Sequence, residues 1–383
     1  MHGDLSTPDP YDVWKTRIGF RSKDLFNRHR WTGAAPAALL ALFDLLANDR
    51  LRFGYRPQEY PIVRALAALA LLNLHRRIPR GEFLAAARDH LDWLVGHARP
   101  GGHGVGWGLD FDWAVDRDLV YDRSTPLATV TPYVLEAMVA YGRATGSTRF
   151  DAEVLRAHDF MLYDLVTLLE TGHTLATSYA PRPDRIVINA CAYTLFSHAL
   201  CLDRLEPDAR GLARARLEKL YEFVRRQQRD DGSWWYAPDA RYPFIDCFHS
   251  CLVLENVLKA SRRVDLPGAE AVVQRGYAYV VGELLDPETG LFRRFSVSNR
   301  PGLVAFDLYD SAEALGLAAL LGDREMTGRL PAAIERAFFR GPDIYSRIDR
   351  LGFRRSRNTL RWAVMPLLHA LSLLDGAPAP CAA

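Results

Sequence analysis

The chain has 383 residues, 49% hydrophobic and 25% charged, enough for two average domains or one large closed one. Its formal net charge is +2, and apart from Lys15, Lys23, Lys219 and Lys259 every cation is an Arg, scattered among 46 acids; this excludes the clustered basic face of a nucleic-acid binder. Residues 1–11 lack a basic run followed by an apolar stretch, and the apolar segment 62–74 is shorter than the roughly 20 residues a bilayer needs, so the expectation is a cytoplasmic protein without membrane insertion.

Apolar residues recur at 3.6-residue spacing and alternating runs are nearly absent, which predicts an all-α protein. Residues 1–35 are expected to be an N-terminal arm packed on the barrel. Helices are predicted over 36–47, 58–78, 80–97, 126–145, 149–170, 186–204, 207–229, 243–264, 267–285, 305–321, 324–339 and 358–375, followed by a flexible tail at 376–383. Thr125-Pro126, Glu206-Pro207 and Leu266-Pro267 mark starts with Pro in the first turn. Gly146, Gly172 and Gly322 mark stops.

The connectors alternate between short and long. Within a pair they are tight, as at Thr145-Gly146-Ser147. Between pairs they are long and aromatic, at 99–123, 171–184, 229–242, 286–304 and 340–357. Hairpins that cannot bury their own apolar faces must stack or close, so the predicted architecture is a single-domain α/α toroid of about six hairpins. Antiparallel pairing then puts every long connector at one end, and connectors of this length usually carry function.

Five cysteines, Cys191, Cys201, Cys247, Cys251 and Cys381, form no CxxC pair and read as buried free thiols of a reducing compartment. Asp246, Cys247 and His249 are a poor metal set, since neighbours on one helical turn point about 100° apart. There is no Walker loop, no GxGxxG between strand and helix and no HExxH, so neither metal nor organic cofactor is expected.

The string Gln228-Arg229-Asp230-Asp231-Gly232-Ser233-Trp234 resembles the QxxDGSW turn of terpenoid cyclases and related α/α toroids, where it ties an outer helix to the next inner one. The DxDD motif of class II cyclases is absent, its nearest counterpart being Asp110-Phe111-Asp112-Trp113. A longer similarity runs through Gly106-Trp107-Gly108-Leu109-Asp110-Phe111-Asp112-Trp113, Val187-Ile188-Asn189-Ala190, Asp231-Gly232-Ser233-Trp234-Trp235-Tyr236 and Ile245-Asp246-Cys247-Phe248-His249. It resembles six-hairpin proteins encoded among bacterial capsule and exopolysaccharide biosynthesis genes. That resemblance implies a polysaccharide context and leaves the reaction open.

Sugar binding calls for flat aromatic faces edged by planar polar groups. Trp107, Trp113, Tyr179, Asn189, Trp235, Tyr236, Arg294 and Arg300 are the candidate binding residues, and Asp110, Asp112, Asp246 and His249 the candidate catalytic ones. For glycoside hydrolysis, Asp110 or Asp112 would pair with Asp246 across the scissile bond. For proton abstraction from a uronic acid, as in a lyase or epimerase, His249 or Tyr236 would move the proton while Arg294 and Arg300 held the carboxylate. The expected partner is an oligo- or polysaccharide, an acidic glycan among the candidates, with polysaccharide-synthesis proteins beside it. Alternative readings are an isoprenoid-binding barrel with an apolar lumen, and a non-catalytic scaffold whose rim acids lie apart, paired to Arg. Glu255 lies two and a half turns below Asp246 and is expected to be buried on the far side. Arg354, Arg355, Arg357 and Arg361 form a basic approach to the last helix, open to an acidic glycan or to solvent.

Overall fold

The computed structural model describes residues 3–239, 243–298 and 302–374. The expected tail at 376–383, Cys381, Asn299 and the candidate Arg300 lie outside the described residues.

Six inner helices form a closed ring: α3 (Pro61–Arg77), α5 (Thr131–Thr145), α7 (Ile188–Cys201), α9 (Cys247–Ser261), α11 (Leu308–Leu321) and α13 (Met365–Leu373). Each packs on the next, and α13 returns to α3. The outer layer among the described residues is α4 (Gly81–Gly96), α6 (Asp151–Asp159), α8 (Pro207–Arg226), α10 (Ala269–Tyr279) and α12 (Arg324–Phe338). The protein is an all-α toroid.

Sequence decides which layer a helix joins. All residues of α7 are buried, the polar Asn189, Thr194, Ser197 and His198 included, with Thr194 and Ser197 donating back to the carbonyls of Ala190 and Tyr193. On α8 only Ala213, Leu217, Leu220, Tyr221, Phe223 and Val224 are buried, a stripe that turns one face to the inner ring and leaves the Arg-rich face wet. Two of the predicted stops hold: Gly146 and Gly322 follow α5 and α11 with φ of 69° and 74°.

Other boundaries move. The helix expected from Pro126 begins at Thr131, with Pro132 in its first turn. The one expected over 149–170 leaves the α form at Phe160, makes a π turn through Asp164 and becomes strand Thr167–Glu170, so Gly172 sits between that strand and Leu175–Thr177 rather than at a helix end. The long connectors therefore hold short antiparallel ribbons, including Trp113–Asp116 with Leu119–Tyr121. The last connector contributes to a four-stranded sheet of Val304–Asp307, Phe339–Arg340, Asp343–Asp349 and Arg354–Arg357. Most of these strands are two to four residues long, and the longest, Asp343–Asp349, has no alternating burial, so none stands out in the sequence.

The helix expected at 36–47 runs as α2 (Arg30–Phe43) and packs against α1 (Arg17–Arg28), outside the ring. With the turns that follow, Arg30–Leu51 is long and apolar enough to cross a membrane by length and composition, which the segment 62–74 is not.

The QxxDGSW turn joins outer helix to outer helix. Gln228 Nε2 donates to the carbonyls of Gly232 (3.0 Å) and, in α10, Val272 (2.9 Å), while Trp234 Nε1 donates to Val224 O (2.9 Å) in α8.

Candidate functional site

The inner helices begin at the loop end, so their first turns face one mouth. At the start of α9, the strand Ile245–Asp246 pairs with Phe295–Val297, and Cys247 N donates to Arg294 O at 2.9 Å. This pairing fixes Asp246 one residue before the helix and His249 one turn along. His249 Nδ1 lies 2.8 and 2.7 Å from the two carboxylate oxygens of Asp246. Asp246 is buried, whereas the His249 side chain keeps about a fifth of its surface. With Nδ1 given to the carboxylate, Nε2 is the nitrogen left to exchange a proton with a ligand.

One cleft is lined by Asn189, Trp235, Tyr236, Asp246 and His249. Tyr236 meets the imidazole edge to face at 4.7 Å, and Phe248 covers it at 3.9 Å. Beyond Tyr236, the Arg185 guanidinium lies 5.8 Å from its ring, 4.7 Å from Tyr179 and 5.5 Å from Trp113. The structure thus brings Trp113, Tyr179, Trp235 and Tyr236 from three connectors, Asn189 from the first turn of α7, and Asp246 and His249 from the start of α9 to one rim.

Arg294 belongs to the same rim, 5.1 Å from the Phe248 ring, but its charge is already met: Asp307 lies at 3.3 Å and Asp310 at 4.0 Å. Burial opposes its charge, yet Tyr11, Asp310, Asp307 and Asp246 outweigh that and hold its pKa above the ordinary range. Arg347 also pairs with Asp307, at 3.2 Å. Asp310 is buried and its carboxyl is pushed well up by desolvation, against the pull of Arg294.

Trp107 stands elsewhere. It is fully buried, its Nε1 donates to Leu94 O at 2.8 Å, and it presents no face to a ligand. Asp110, at φ 58°, accepts from Arg99 Nη2 at 3.0 Å, and burial raises its pKa in spite of that cation. Asp112 is half exposed and accepts from Arg123 N at 2.9 Å. Neither carboxylate lines the cleft at His249. The Arg residues near the last helix are also engaged: Arg354 with Ala337 O, Arg355 with Asp349, Arg357 with Asp343 and Arg361 with Asp9.

The N-terminal segment roofs this rim. Tyr11 packs edge-on against Trp362 at 5.4 Å, and Arg347 covers its other side at 4.4 Å. Three buried polar atoms around the cleft have no hydrogen-bond partner among the described residues: Asn189 Oδ1, Asp310 Oδ2 and Trp362 Nε1. Such atoms normally find a partner in ligand or water.

Asp307, Asp310, Arg185, Arg347 and Trp362 were not among the sequence candidates. For the first two a signal existed. Asp307-Leu308-Tyr309-Asp310 repeats, at the start of α11, the spacing of Asp246-Cys247-Phe248-His249 at the start of α9.

Below the mouth the lumen is mixed, with Pro132, Phe196 and Leu252 beside polar groups. Tyr133, Tyr193, Glu136, Glu255 and Lys259 line it, with the two tyrosine hydroxyls 2.6 Å apart and Lys259 Nζ 3.2 Å from Glu136. An isoprenoid chain needs an apolar lining, and here Glu136, Glu255 and Lys259 share the wall with Phe196 and Leu252.

No protein-family model and no curated protein matches the sequence. Solved structures do. The fold is similar to a cellobiose 2-epimerase from Bacillus thermoamylovorans, with TM-score 0.61 and 10% identity over 82% of this chain and 86% of that chain. It is similar to a GH76 α-mannanase from Bacteroides thetaiotaomicron, with TM-score 0.59 and 10% identity over 95% and 97% of the two chains. A D-mannose isomerase gives TM-score 0.59 and 12% identity over 82% and 87%. At these identities the likeness establishes the shared α/α toroid.

Proposed function

We propose that this protein is a sugar-directed acid–base enzyme that moves a proton on the open-chain form of a neutral reducing sugar, with His249 as the proton carrier and Asp246 as its positioning partner. The observation that carries the reading is the Asp246–His249 pair, set in an aromatic cleft with Asn189 and Tyr236. A carboxylate on Nδ1 fixes the tautomer and stabilises the imidazolium that forms when Nε2 accepts a proton.

The chemistry follows from what the cleft contains. Nε2 would take the proton from the carbon next to the carbonyl, leaving an enediolate, and would return it to the former carbonyl carbon, while the hydroxyl proton of the first carbon passes to the former carbonyl oxygen. One base suffices for the carbon-bound proton in that aldose–ketose exchange, and His249 is the one imidazole lining the cleft among the described residues. Inversion at the same carbon would need a second proton donor on the opposite face. The committed charge of Arg294 favours a neutral sugar over a uronate. Hydrolysis between Asp110 or Asp112 and Asp246 is less well supported, because the first two carboxylates face Arg99 and Arg123. The epimerase and isomerase named among the structural neighbours are in keeping with this choice. A role in surface-polysaccharide synthesis, in the cytoplasm and beside other biosynthetic proteins, rests on the sequence resemblance alone.

The test is incubation of the protein with reducing mono- and disaccharides in D2O. Deuterium is expected at the carbon next to the carbonyl, with kcat lowered about 10²–10⁴-fold in His249→Gln. In Asp246→Asn the pH profile of the remaining rate should shift. Release of new reducing ends without deuterium uptake, abolished by Asp110→Asn, would favour the hydrolase instead.

A further inference from the structure

The α1–α2 hairpin is the least covered part of the molecule. Of the nineteen large apolar side chains exposed among the described residues, ten lie between Ile18 and Phe53. Trp31 is 97% exposed, Leu39 67% and Leu46 72%. At about 100° per residue, Trp31, Leu39 and Leu42 fall within an arc of about 80° and form one stripe along α2, which Leu46 follows in the π turn Asp44–Asn48. An apolar patch of this kind on an otherwise polar surface marks a place of contact.

The charge around the stripe says what it contacts. From residue 17 to residue 43 the chain carries Arg17, Arg21, Lys23, Arg28 and Arg30 against the single acid Asp24. Arg17, Arg21 and Arg30 are exposed, and Arg30 precedes the exposed Trp31 directly. Cations beside an indole and a leucine stripe match the layered chemistry of an anionic lipid surface: phosphates outside, the interfacial band next, acyl chains below. A second copy of this basic hairpin would set like charges against each other.

We propose that the α1–α2 hairpin docks the protein on an anionic lipid surface, lying along the membrane instead of crossing it. The far end of the apolar run is tied to the body of the protein. Arg355 Nη1 donates to Leu45 O at 2.9 Å, Ser356 N donates to Asp49 at 2.9 Å and Tyr55 Oη donates to Asp44 at 2.7 Å. Those bonds hold this end at the rim. Close packing makes the hairpin one unit: a Cβ on Gly33 would lie 2.3 Å from the backbone of Phe26.

The experiment is cosedimentation of the full chain with sucrose-loaded vesicles of phosphatidylcholine alone or with one quarter phosphatidylglycerol. The protein is expected to pellet with the anionic vesicles only, and to be released by raised salt. A Leu39→Ser, Leu42→Ser, Leu46→Ser variant and an Arg21→Glu, Arg30→Glu variant should each bind at least tenfold more weakly, with unchanged thermal midpoints. Equal pelleting by wild type and variants, or no pelleting by wild type, overturns the proposal. So does a dimer in sedimentation velocity that the serine variant dissociates while no vesicle binding is seen, since a second copy then covers the stripe. The sugar reading is untouched by any of these results.

Discussion

Glu255 shows how burial sets the chemistry of a single residue in the lumen. Desolvation raises its carboxyl, outweighing Lys259 3.7 Å away, and pushes the pKa up to about 7 from an ordinary 4.5. The folded state therefore holds this proton more tightly than the unfolded chain, so its contribution to stability is fully present below about pH 4.5 and is lost as pH rises through about 7. Glu255→Gln should flatten that part of the stability profile, by on the order of 3 kcal/mol between the two ends. Urea midpoints at pH 5 and pH 7.5 measure it, and an unchanged slope in the variant would contradict the assignment. The sequence showed that Glu255 would be buried, because helix periodicity is local. Lys259, four residues on along the same helix, was within reach by counting, but the approach of Glu136 was not, since that depends on which helices share the ring. The same limit applies at the mouth. Asp246 and His249 are three residues apart and could be paired by counting, whereas Arg347 and Trp362 reach the rim only through the closing sheet and last helix.

Among the elements, α8 and the turn that ends it offer two glycines with opposite expectations. Gly232 has φ 91°, and a Cβ there would lie 2.4 Å from the backbone carbonyl of Arg275 in α10. Gly232→Ala should cost about 2 kcal/mol or more and loosen the α8–α10 joint. Gly211 is inside α8, exposed, with open space around it. Gly211→Ala should stabilise by about 0.5–1 kcal/mol. Denaturant titrations of the two variants check both signs; a loss at Gly211 would mean that α8 is not the uninterrupted exposed helix described. The twelve predicted helices were readable because apolar period and caps are written into each segment. The ribbons in the connectors were not, because Trp113–Asp116 and Thr167–Glu170 owe their strand form to partners that fold against them. The helix at α2 was found, and its exclusion from the ring was not, since apolar composition alone reads as core.

Across the whole molecule, the ring is fastened where its two ends meet. Thr7 pairs with Gln58 and accepts from Leu360 N at 2.8 Å, and buried Asp9 lies 3.1 Å from Arg361 and 3.2 Å from Lys15. Burial alone would raise the Asp9 pKa, but Lys15 and Arg361 outweigh it and hold the carboxyl below its usual value. The stabilisation is thus present above about pH 3.8 and lost as pH falls through the lowered pKa. Asp9→Ala strands Arg361 and leaves Lys15 paired with Asp12, and should cost about 3–5 kcal/mol, read as a drop in the denaturation midpoint at neutral pH. A change below 1 kcal/mol would mean that the segment rests on the barrel without fastening it. Asp9 and Arg361 are 352 positions apart. A chain still emerging from the ribosome can stack its first helices as a crescent, but the clasp has no second half until the final helix is made. Products that stop short of it should therefore stay open, with the apolar flanks of α3 and α11 left for chaperones or proteases to find.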